Sequence, residues 1–382
     1  MRTNETCAII TDIKKVDALY PLTDRRPVSL LPFDGIYRMI DFNLSSITDA
    51  NIRSVFMLFN QNSIRSVLDH VSSGKEWNLH SLKNRYFMHF YKSLKDRQPE
   101  DDNYLDAMIE YIERSKSKHT VFIGNRMLCN LDLTQVEEIH KKHEEDITVV
   151  YKKVPRDTVS KDDVILRFNE DNQITQAASG ETAVNDTENL FMNIFMVKSD
   201  WLVKELKCWR GQEGFVFDIE DMLKEVIMTK TAWGFEYTGY LSHIRDVKSY
   251  YDANMEMLKS RQFLSLLHSS KKVYMKNTNE VPTYYAASSR VKISQVATGC
   301  LIYGELDQAI ISTGTTIEEK ANVQESIVMS NVTIKQEAEV KYAIIDKNVI
   351  IEPGVRVIGT LENPVVITKN SHVTEDVILV EV

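Results

Sequence analysis

The stretch Asp12 to Asn43, DIKKVDALYPLTDRRPVSLLPFDGIYRMIDFN, holds the first residues whose types and spacing suggest chemistry. It follows the apolar run Cys7-Ala8-Ile9-Ile10, which reads as a buried first strand. Strand, loop and helix in that order is where an α/β domain normally holds a phosphate. Such a cradle needs backbone N–H groups that approach the ligand closely, which glycine permits. Here Ile13 and Val16 are β-branched and resist the necessary conformations. Lys14 and Lys15 supply charge, but as flexible point charges rather than a fixed cradle. The four cysteines, Cys7, Cys129, Cys208 and Cys300, are scattered with no Cys-x-x-Cys pair, so neither a zinc site nor a disulfide framework is indicated.

The elements that would position these residues alternate between strand and helix. Ser54 to Phe59 reads as a second buried strand. Ile64 to Val71 and Asp101 to Ser115 have helical spacing, the latter with Leu105, Met108, Ile109 and Ile112 on one face. Thr120 to Gly124 and Asp146 to Val154 are strands, and Asp163 to Asn169 with Gln173 to Ala178 forms a hairpin about Asp171-Asn172. Asp246 to Leu267 reads as one long helix, and Asn277 to Ser289, with Pro282, as a linker.

The C-terminal part is a repeat. Ile311, Ile317, Val323, Val328, Ile334, Val340, Ile345, Ile351 and Val357 follow one another at steps of 6, 6, 5, which makes a period of 17. Gly314, Asn331 and Asn348 open successive units, as a turn with φ > 0 requires. After a short insertion Ile367, Val373 and Leu379 resume the steps of six. This spacing predicts a left-handed parallel β-helix with aliphatics stacked inside. Val328, Ile334 and Val340 then point inward, and Met329 outward as a candidate for subunit contact. The repeat by itself fixes fold and not function.

At 382 residues the chain is long enough for two domains; 43% hydrophobic and 26% charged content describe a globular protein. A net charge of −9 argues against nonspecific nucleic-acid binding. No membrane-spanning run and no signal peptide are evident, so the default compartment is the cytoplasm.

The N-terminal stretch resembles the glucose-1-phosphate adenylyltransferases (ADP-glucose pyrophosphorylases). The resemblance lies in Leu19-Tyr20-Pro21-Leu22-Thr23, Arg25-Arg26, Pro32-Phe33 and Gly35-Ile36-Tyr37-Arg38-Met39-Ile40-Asp41-Phe42, aligned without a gap. Against catalysing members, Ile13, Lys14 and Val16 stand for loop glycines, Ala18 for the catalytic arginine and Val28 for a lysine. Asp106-Ala107 is kept from a base-side element, while Asn103, Tyr104 and Leu105 depart from it. Asn125 and His243 stand where the family has its two metal aspartates. An amide is a weaker Mg²⁺ ligand than a carboxylate, and imidazole suits transition metals. Ala178-Ser179-Gly180-Glu181 lacks the lysine that grips the sugar phosphate, and Phe191 replaces a hydrogen-bonding serine. Phe217-Asp218-Ile219-Glu220 matches loosely, whereas Ser249-Tyr250-Tyr251-Asp252-Ala253-Asn254 matches well.

The resemblance implies an α/β fold: a Rossmann-like, GT-A-like nucleotidyltransferase domain with a mixed sheet over 1–270, a linker over 271–290 and a left-handed β-helix over 291–382. The altered positions imply no catalytic, cofactor-binding or metal-binding residue here, with Mg²⁺ required only in a catalytic partner. That pattern is similar to the GlgD-type companion subunits found beside a GlgC-type catalytic subunit, in a heterotetramer of bacterial glycogen synthesis. A homo-oligomer is the arrangement open to the chain alone. Neither nucleic acid nor membrane is implied as a partner. Relatives bind a phosphorylated sugar or phosphate effector with basic residues, for which Arg26, Arg38, Lys341 and Lys347 are the candidates here. The alternative for Arg38 is a structural ion pair, for instance with Asp41, and for the lysines a solvated surface. Two other functions stay open: an active nucleotidyltransferase with a rebuilt loop, and an acyltransferase. The second needs a histidine base in the coils, yet the one histidine after His268 is His372, beyond the regular coils.

Overall fold

The computed structural model describes residues 5–80, 85–92, 104–143, 146–210, 219–229, 232–269, 271–277 and 279–379. The chain begins with β1 (Thr6–Asp12), a short hairpin of β2 (Pro32–Phe33) and β3 (Tyr37–Arg38), then α1 (Met39–Asp49) and β4 (Ser54–Asn60). It continues through α2 (Ile64–Val71), β5 (Arg85–Tyr91), α3 (Tyr104–Ser115), β6 (His119–Ile123) and α4 (Leu133–His143). Later helices are α5 (Ser199–Arg210), α6 (Ile219–Thr229), α7 (Val247–Glu256) and α8 (Ser260–Leu267). Two compact units result. The first comprises Met1–Lys15, Phe42–Leu241 and Ser270–Tyr274; the second comprises Val16–Asp41, Ser242–Ser269 and Met275–Val382. No described helix is long and apolar enough to cross a membrane.

The first unit is built on a mixed sheet. All seven residues of β1 are buried, as a strand covered on both faces requires. β1 runs parallel to β4 and β6, with Ile9 opposite both Phe56 and Phe122, and β5 extends the sheet beyond β4. The long strand Thr187–Lys198 runs antiparallel to β6 and to Ile147–Pro155, and Ala232–Glu236 lies parallel to the latter. Val164–Phe168 and Ile174–Ser179 form the hairpin read from the sequence, with Asn172 at φ 61° in its turn. α3 buries Leu105, Met108, Ile109 and Ile112 as its spacing predicts, and its Tyr111 hydroxyl donates to Ala8 O at 3.2 Å.

The second unit contains the parallel β-helix. Ile302, Ile317, Ile334, Ile351 and Val373 stack in one register, and Leu306, Val323, Val340, Val357 and Val377 in another. Ile311, Val328, Ile345 and Ile367 make the third. The nine aliphatics that defined the period, from Ile311 to Val357, are all 0% exposed. One corner is left-handed throughout: Gly314, Asn331, Asn348 and Asn370 have φ of 74°, 61°, 59° and 64°. Their amides form a ladder, Asn331 Nδ2 to Asn348 Oδ1 at 3.3 Å and Asn348 Nδ2 to Asn370 Oδ1 at 2.9 Å.

Four readings of the sequence need correction. The long helix from Asp246 is two helices, broken at Met257 to Lys259, where Lys259 is extended. The break is stabilised from outside, because the Gln295 amide donates to Met257 O at 3.0 Å and satisfies a carbonyl at the helix end. The stretch 271–290 is not all linker: Tyr284–Tyr285 is already a β-helix strand, paired with Leu301–Ile302. In the last coil Val377, not Leu379, lies opposite Val357. Asp376 accepts from the Arg356 amide at 2.8 Å and from its guanidinium at 2.7 and 2.9 Å, which shortens the step there. Met329 is fully buried and within 3.5 Å of the Arg26 guanidinium, so it is covered inside its own unit and offers no surface to a partner.

The neighbours Ile350 and Ile351 form one two-residue strand, the first 39% exposed and the second buried. Ile351→Ala is expected to lower stability by about 2–5 kcal/mol and Ile350→Ala by less than about 1 kcal/mol. Urea unfolding of the two variants checks this; equal losses would refute the inward register.

Candidate functional site

In the first unit, residues at positions that depart from the resemblance are bonded to the surrounding fold. Asn125 is 5% exposed and follows the end of β6. Its amide nitrogen donates to Thr11 O in β1, and its Oδ1 accepts from Asn43 Nδ2 of α1 at 3.3 Å. Both halves of the amide are therefore used, and the oxygen that could have faced a cation already has a donor. Lys14 reaches Asp221 at 3.5 Å, across from the start of α6. Gly124 is locked from the other side: its N–H donates to Asn193 O at 3.0 Å, and a Cβ there would lie 2.4 Å from Asn193 Nδ2. Asn193, at φ 56°, sits where the pairing of Thr187–Lys198 with Ile147–Pro155 shifts register.

Several of the other altered positions also serve the fold. Phe191 is buried and packs edge-on to Phe195, with ring centres 4.9 Å apart. Val28 is buried, and Ala18 lies exposed in the short turn Asp17–Leu19. Ser179 caps a turn by accepting from the Glu181 amide at 3.2 Å. Gly180 permits close chain approach, since a Cβ would meet Ser160 O. His243 is half-buried in the two-residue strand Ser242–His243 of the second unit. Among the described residues, no group of three or more His, Cys, Asp or Glu side chains is arranged to hold a metal. Asn125 is a poor fit for a Mg²⁺ ligand, because it offers a neutral amide oxygen, one lone pair of which already accepts from Asn43. Asn103 and Phe217-Asp218 lie outside the described residues.

The Ser-Tyr-Tyr-Asp-Ala-Asn motif is explained by packing in the second unit. Asp246 and Ser249 form a capping box at the start of α7, with Asp246 Oδ1 accepting from Ser249 N at 2.7 Å. Tyr250 donates its hydroxyl proton to Pro32 O, and Tyr251 donates to Glu325 O at 2.5 Å. Asn254 Oδ1 accepts from the Asp34 amide at 3.0 Å. α7 thus ties the β2–β3 hairpin to a β-helix strand.

Three of the four candidate effector residues converge in this unit. One guanidinium nitrogen of Arg26, Nη2, donates to both carboxylate oxygens of Asp346 at 2.5 and 2.6 Å, and the two side chains are only 7% and 4% exposed. The adjacent Lys347 is half-buried. Burial, then the charges of Arg38 and Arg26, push its ammonium down to about 7, with Asp346 opposing. Arg38 also donates its backbone N–H to the Asp41 carboxylate at 2.8 Å. Lys341 does not join this group; its ammonium lies over the Tyr342 ring, 5.2 Å from the centre. Beside the Arg26–Asp346 pair is a cavity of about 180 Å³ whose polar lining includes Tyr20, Arg25, Asp24, Thr368 and Lys369. Arg25 and Lys369 were not candidates in the sequence reading. The repeat register could have found Lys369: Asn370 stacks on Asn348, so Lys369 follows Lys347 one coil later.

Two substitutions test these assignments. Asn125→Asp would set a carboxylate against the Thr11 carbonyl, with an expected loss of about 1–3 kcal/mol and no rescue by Mg²⁺. A variant stabilised by Mg²⁺ in thermal unfolding would overturn the reading. Asp346→Ala, which leaves the Arg26 charge buried alone, should lose about 3–5 kcal/mol. If its unfolding midpoint stays unchanged, the pair is not structural.

The nucleotidyl transferase family model matches residues 17–260, well over half the chain, and the GlmU-like C-terminal hexapeptide model matches 281–381. The chain is 28% identical over 316 residues to the glycogen biosynthesis protein GlgD of Bacillus subtilis (strain 168), which covers 81% of this chain and 80% of that protein. It is 29% identical over 371 residues to the protein of the same name from Geobacillus stearothermophilus, covering 96% and 97%. A glucose-1-phosphate adenylyltransferase of Halalkalibacterium halodurans is 26% identical over 297 residues, 76% of each chain. These relatives bear out the resemblance carried by the N-terminal motifs and the hexapeptide assignment of the coils. With a mixed-sheet first unit, a parallel β-helix in the second and a match spanning most of the chain, the protein belongs to the nucleotidyl transferase family.

Proposed function

We propose that this chain is a regulatory, catalytically degenerate subunit of a glucose-1-phosphate adenylyltransferase in bacterial glycogen biosynthesis. In this reading it assembles with a GlgC-type catalytic chain, which makes ADP-glucose from ATP and glucose 1-phosphate with Mg²⁺. Its compartment is the cytoplasm. The observation that carries the proposal is the commitment of Asn125 to Thr11 and Asn43. Where phosphoryl chemistry needs metal ions and fixed cations around a triphosphate, this chain has a clip that holds β1, β6 and α1 together. The names of the GlgD relatives support the pathway.

The regulatory half of the proposal rests on the cations beside Asp346. A phosphate or phosphorylated sugar would bind there by charge-assisted hydrogen bonds from Arg38, Lys347 and the cavity residues Arg25 and Lys369. Arg26 keeps its structural pair with Asp346, and Lys341 falls outside this site.

The purified chain alone should show no more than trace ADP-glucose synthesis, and added to a GlgC-type subunit it should raise activity or change the effector response. Turnover by the chain alone at roughly 1–1000 per second, the range of ordinary enzymes, would refute the degenerate assignment. Arg38→Ala in the hetero-oligomer, with the catalytic chain unaltered, should raise the effector concentration for half-maximal activation by about 10- to 100-fold, the equivalent of one charge-assisted hydrogen bond. An intact complex with an unchanged response would remove Arg38 from the site.

A further inference from the structure

At the tip of the β2–β3 hairpin lies an acid that no part of the regulatory reading uses. Asp34 is 5% exposed, and its backbone is left-handed at φ 49°, followed by Gly35 at φ 75°. Gly35 packs on the backbone of Ile311, where a Cβ would lie 3.4 Å from the carbonyl oxygen. The Asp34 N–H is held by Asn254 Oδ1 of α7. Its Oδ1 is buried with no hydrogen-bond partner among the described residues. The one side chain that favours its ionised form is the Gln295 amide, from the strand Gln295–Val296, which also donates to Met257 O.

The groups that face Asp34 explain why a charge there is poorly tolerated. Within its own hairpin and the start of α1, Tyr37 feels both Asp34 and Asp41, and Arg38 lies between those two in the chain, its backbone N–H donating to Asp41. α7 contributes neutral Asn254 and Tyr250; Tyr250 in turn faces Arg26 and Asp346, which neutralise one another. Gly35, the next residue, packs on the strand Glu305–Ile311 through the Ile310 side chain and the Ile311 backbone. A buried carboxylate with a single amide donor is unstable relative to its neutral form. Burial accordingly pushes the Asp34 carboxyl up to about 7, with Gln295 opposing.

We propose that Asp34 is a proton-operated catch: as the neutral acid it seats the β2–β3 hairpin against α7 and the β-helix, and on ionising it releases the hairpin. No new bond is made or broken beyond loss of the carboxyl proton to solvent. The hairpin carries Arg38 at its far end, so its seating sets where that guanidinium stands. The catch does not depend on whether the nearby cations bind an effector.

The sign follows from linkage. A carboxyl raised in the folded state contributes stability that is fully present below its ordinary value near 4 and is lost as pH rises through about 7. Local opening that exposes Asp34 to water should therefore grow by up to about tenfold per pH unit between pH 5 and 7 and level off above pH 8. The experiment is hydrogen exchange of the full chain, following the amides of Ile36 and Met39, which bond to Asp34 O and Leu31 O, with rates corrected for chemical exchange. The catch predicts that protection falls in this window for the native sequence and is independent of pH in Asp34→Asn. Flat protection in the native sequence overturns the proposal whether or not the variant folds. An equal slope in both proteins overturns it as well.

Discussion

A guanidinium and a carboxylate removed from water together hold the second unit in register. Arg26 and Asp346 are 320 positions apart in the chain, yet both are nearly fully buried and joined by two short bonds. Each ion alone would lose several kcal/mol of hydration, and close charge-assisted contact of one guanidinium nitrogen with both carboxylate oxygens is what makes the pair tolerable. The pair also organises its surroundings. Asp346 Oδ1 accepts from the Lys347 amide at 2.6 Å, which directs the next residue's side chain into the same neighbourhood. Asp346 is matched by Arg26, and Arg38 and Lys347 stand close by. Lys347 registers these neighbours: Arg38 and Arg26 lower its ammonium by more than Asp346 raises it.

The first unit follows the opposite logic, with polar groups consumed rather than left over. An aspartate at position 125 could not donate to Thr11 O, whereas an asparagine donates to it and accepts from Asn43 at the same time. The asparagine at this position thus satisfies a buried backbone carbonyl. Phe191 behaves alike, entering an aromatic pair with Phe195 in the sheet core. Once such side chains are part of the core, restoring a polar group costs stability through an unmatched donor, acceptor or charge.

Much of the fold was legible because it depends on period. The repeat of 17 found the aliphatic interior and the left-handed corner, since inward facing and positive φ are local demands on residue type. α2 and the inward face of α3 followed from apolar spacing for the same reason. What escaped depends on partners distant in sequence. The break between α7 and α8 is stabilised by Gln295, and the shortened last coil by the Arg356–Asp376 pair, neither of which leaves a local signal. Met329 was read correctly as leaving the coil interior, but nothing in its neighbourhood announced that Arg26 would cover it. Of the site, the chain revealed which residue types were missing. It did not reveal what the replacements bond to, and it placed Lys341 with Lys347 because nearness in a coil is not nearness in space when side chains leave different corners.

The division into units also changes what the motifs mean. Leu19 to Thr23, Arg25-Arg26, Pro32-Phe33 and Gly35 to Asp41 all lie in Val16–Asp41, which folds with the β-helix unit. So does Ser249 to Asn254, whose side chains join hairpin, α7 and coil. The departures at Ile13, Lys14, Asn125, Ser179 and Phe191 fall in the first unit, while Ala18, Val28 and His243 are departures within the second. Most of the matching text is therefore accounted for by packing that a non-catalytic chain needs as much as a catalytic one. A match in those segments is evidence for the architecture and says little about turnover. The residues that bear on turnover are the short list of departures in both units, and among them the hydrogen bonds of Asn125 weigh more than any length of similar sequence. The same reasoning makes the second unit, where Arg26, Arg38 and Lys347 come together around Asp346, the place to test this chain's contribution.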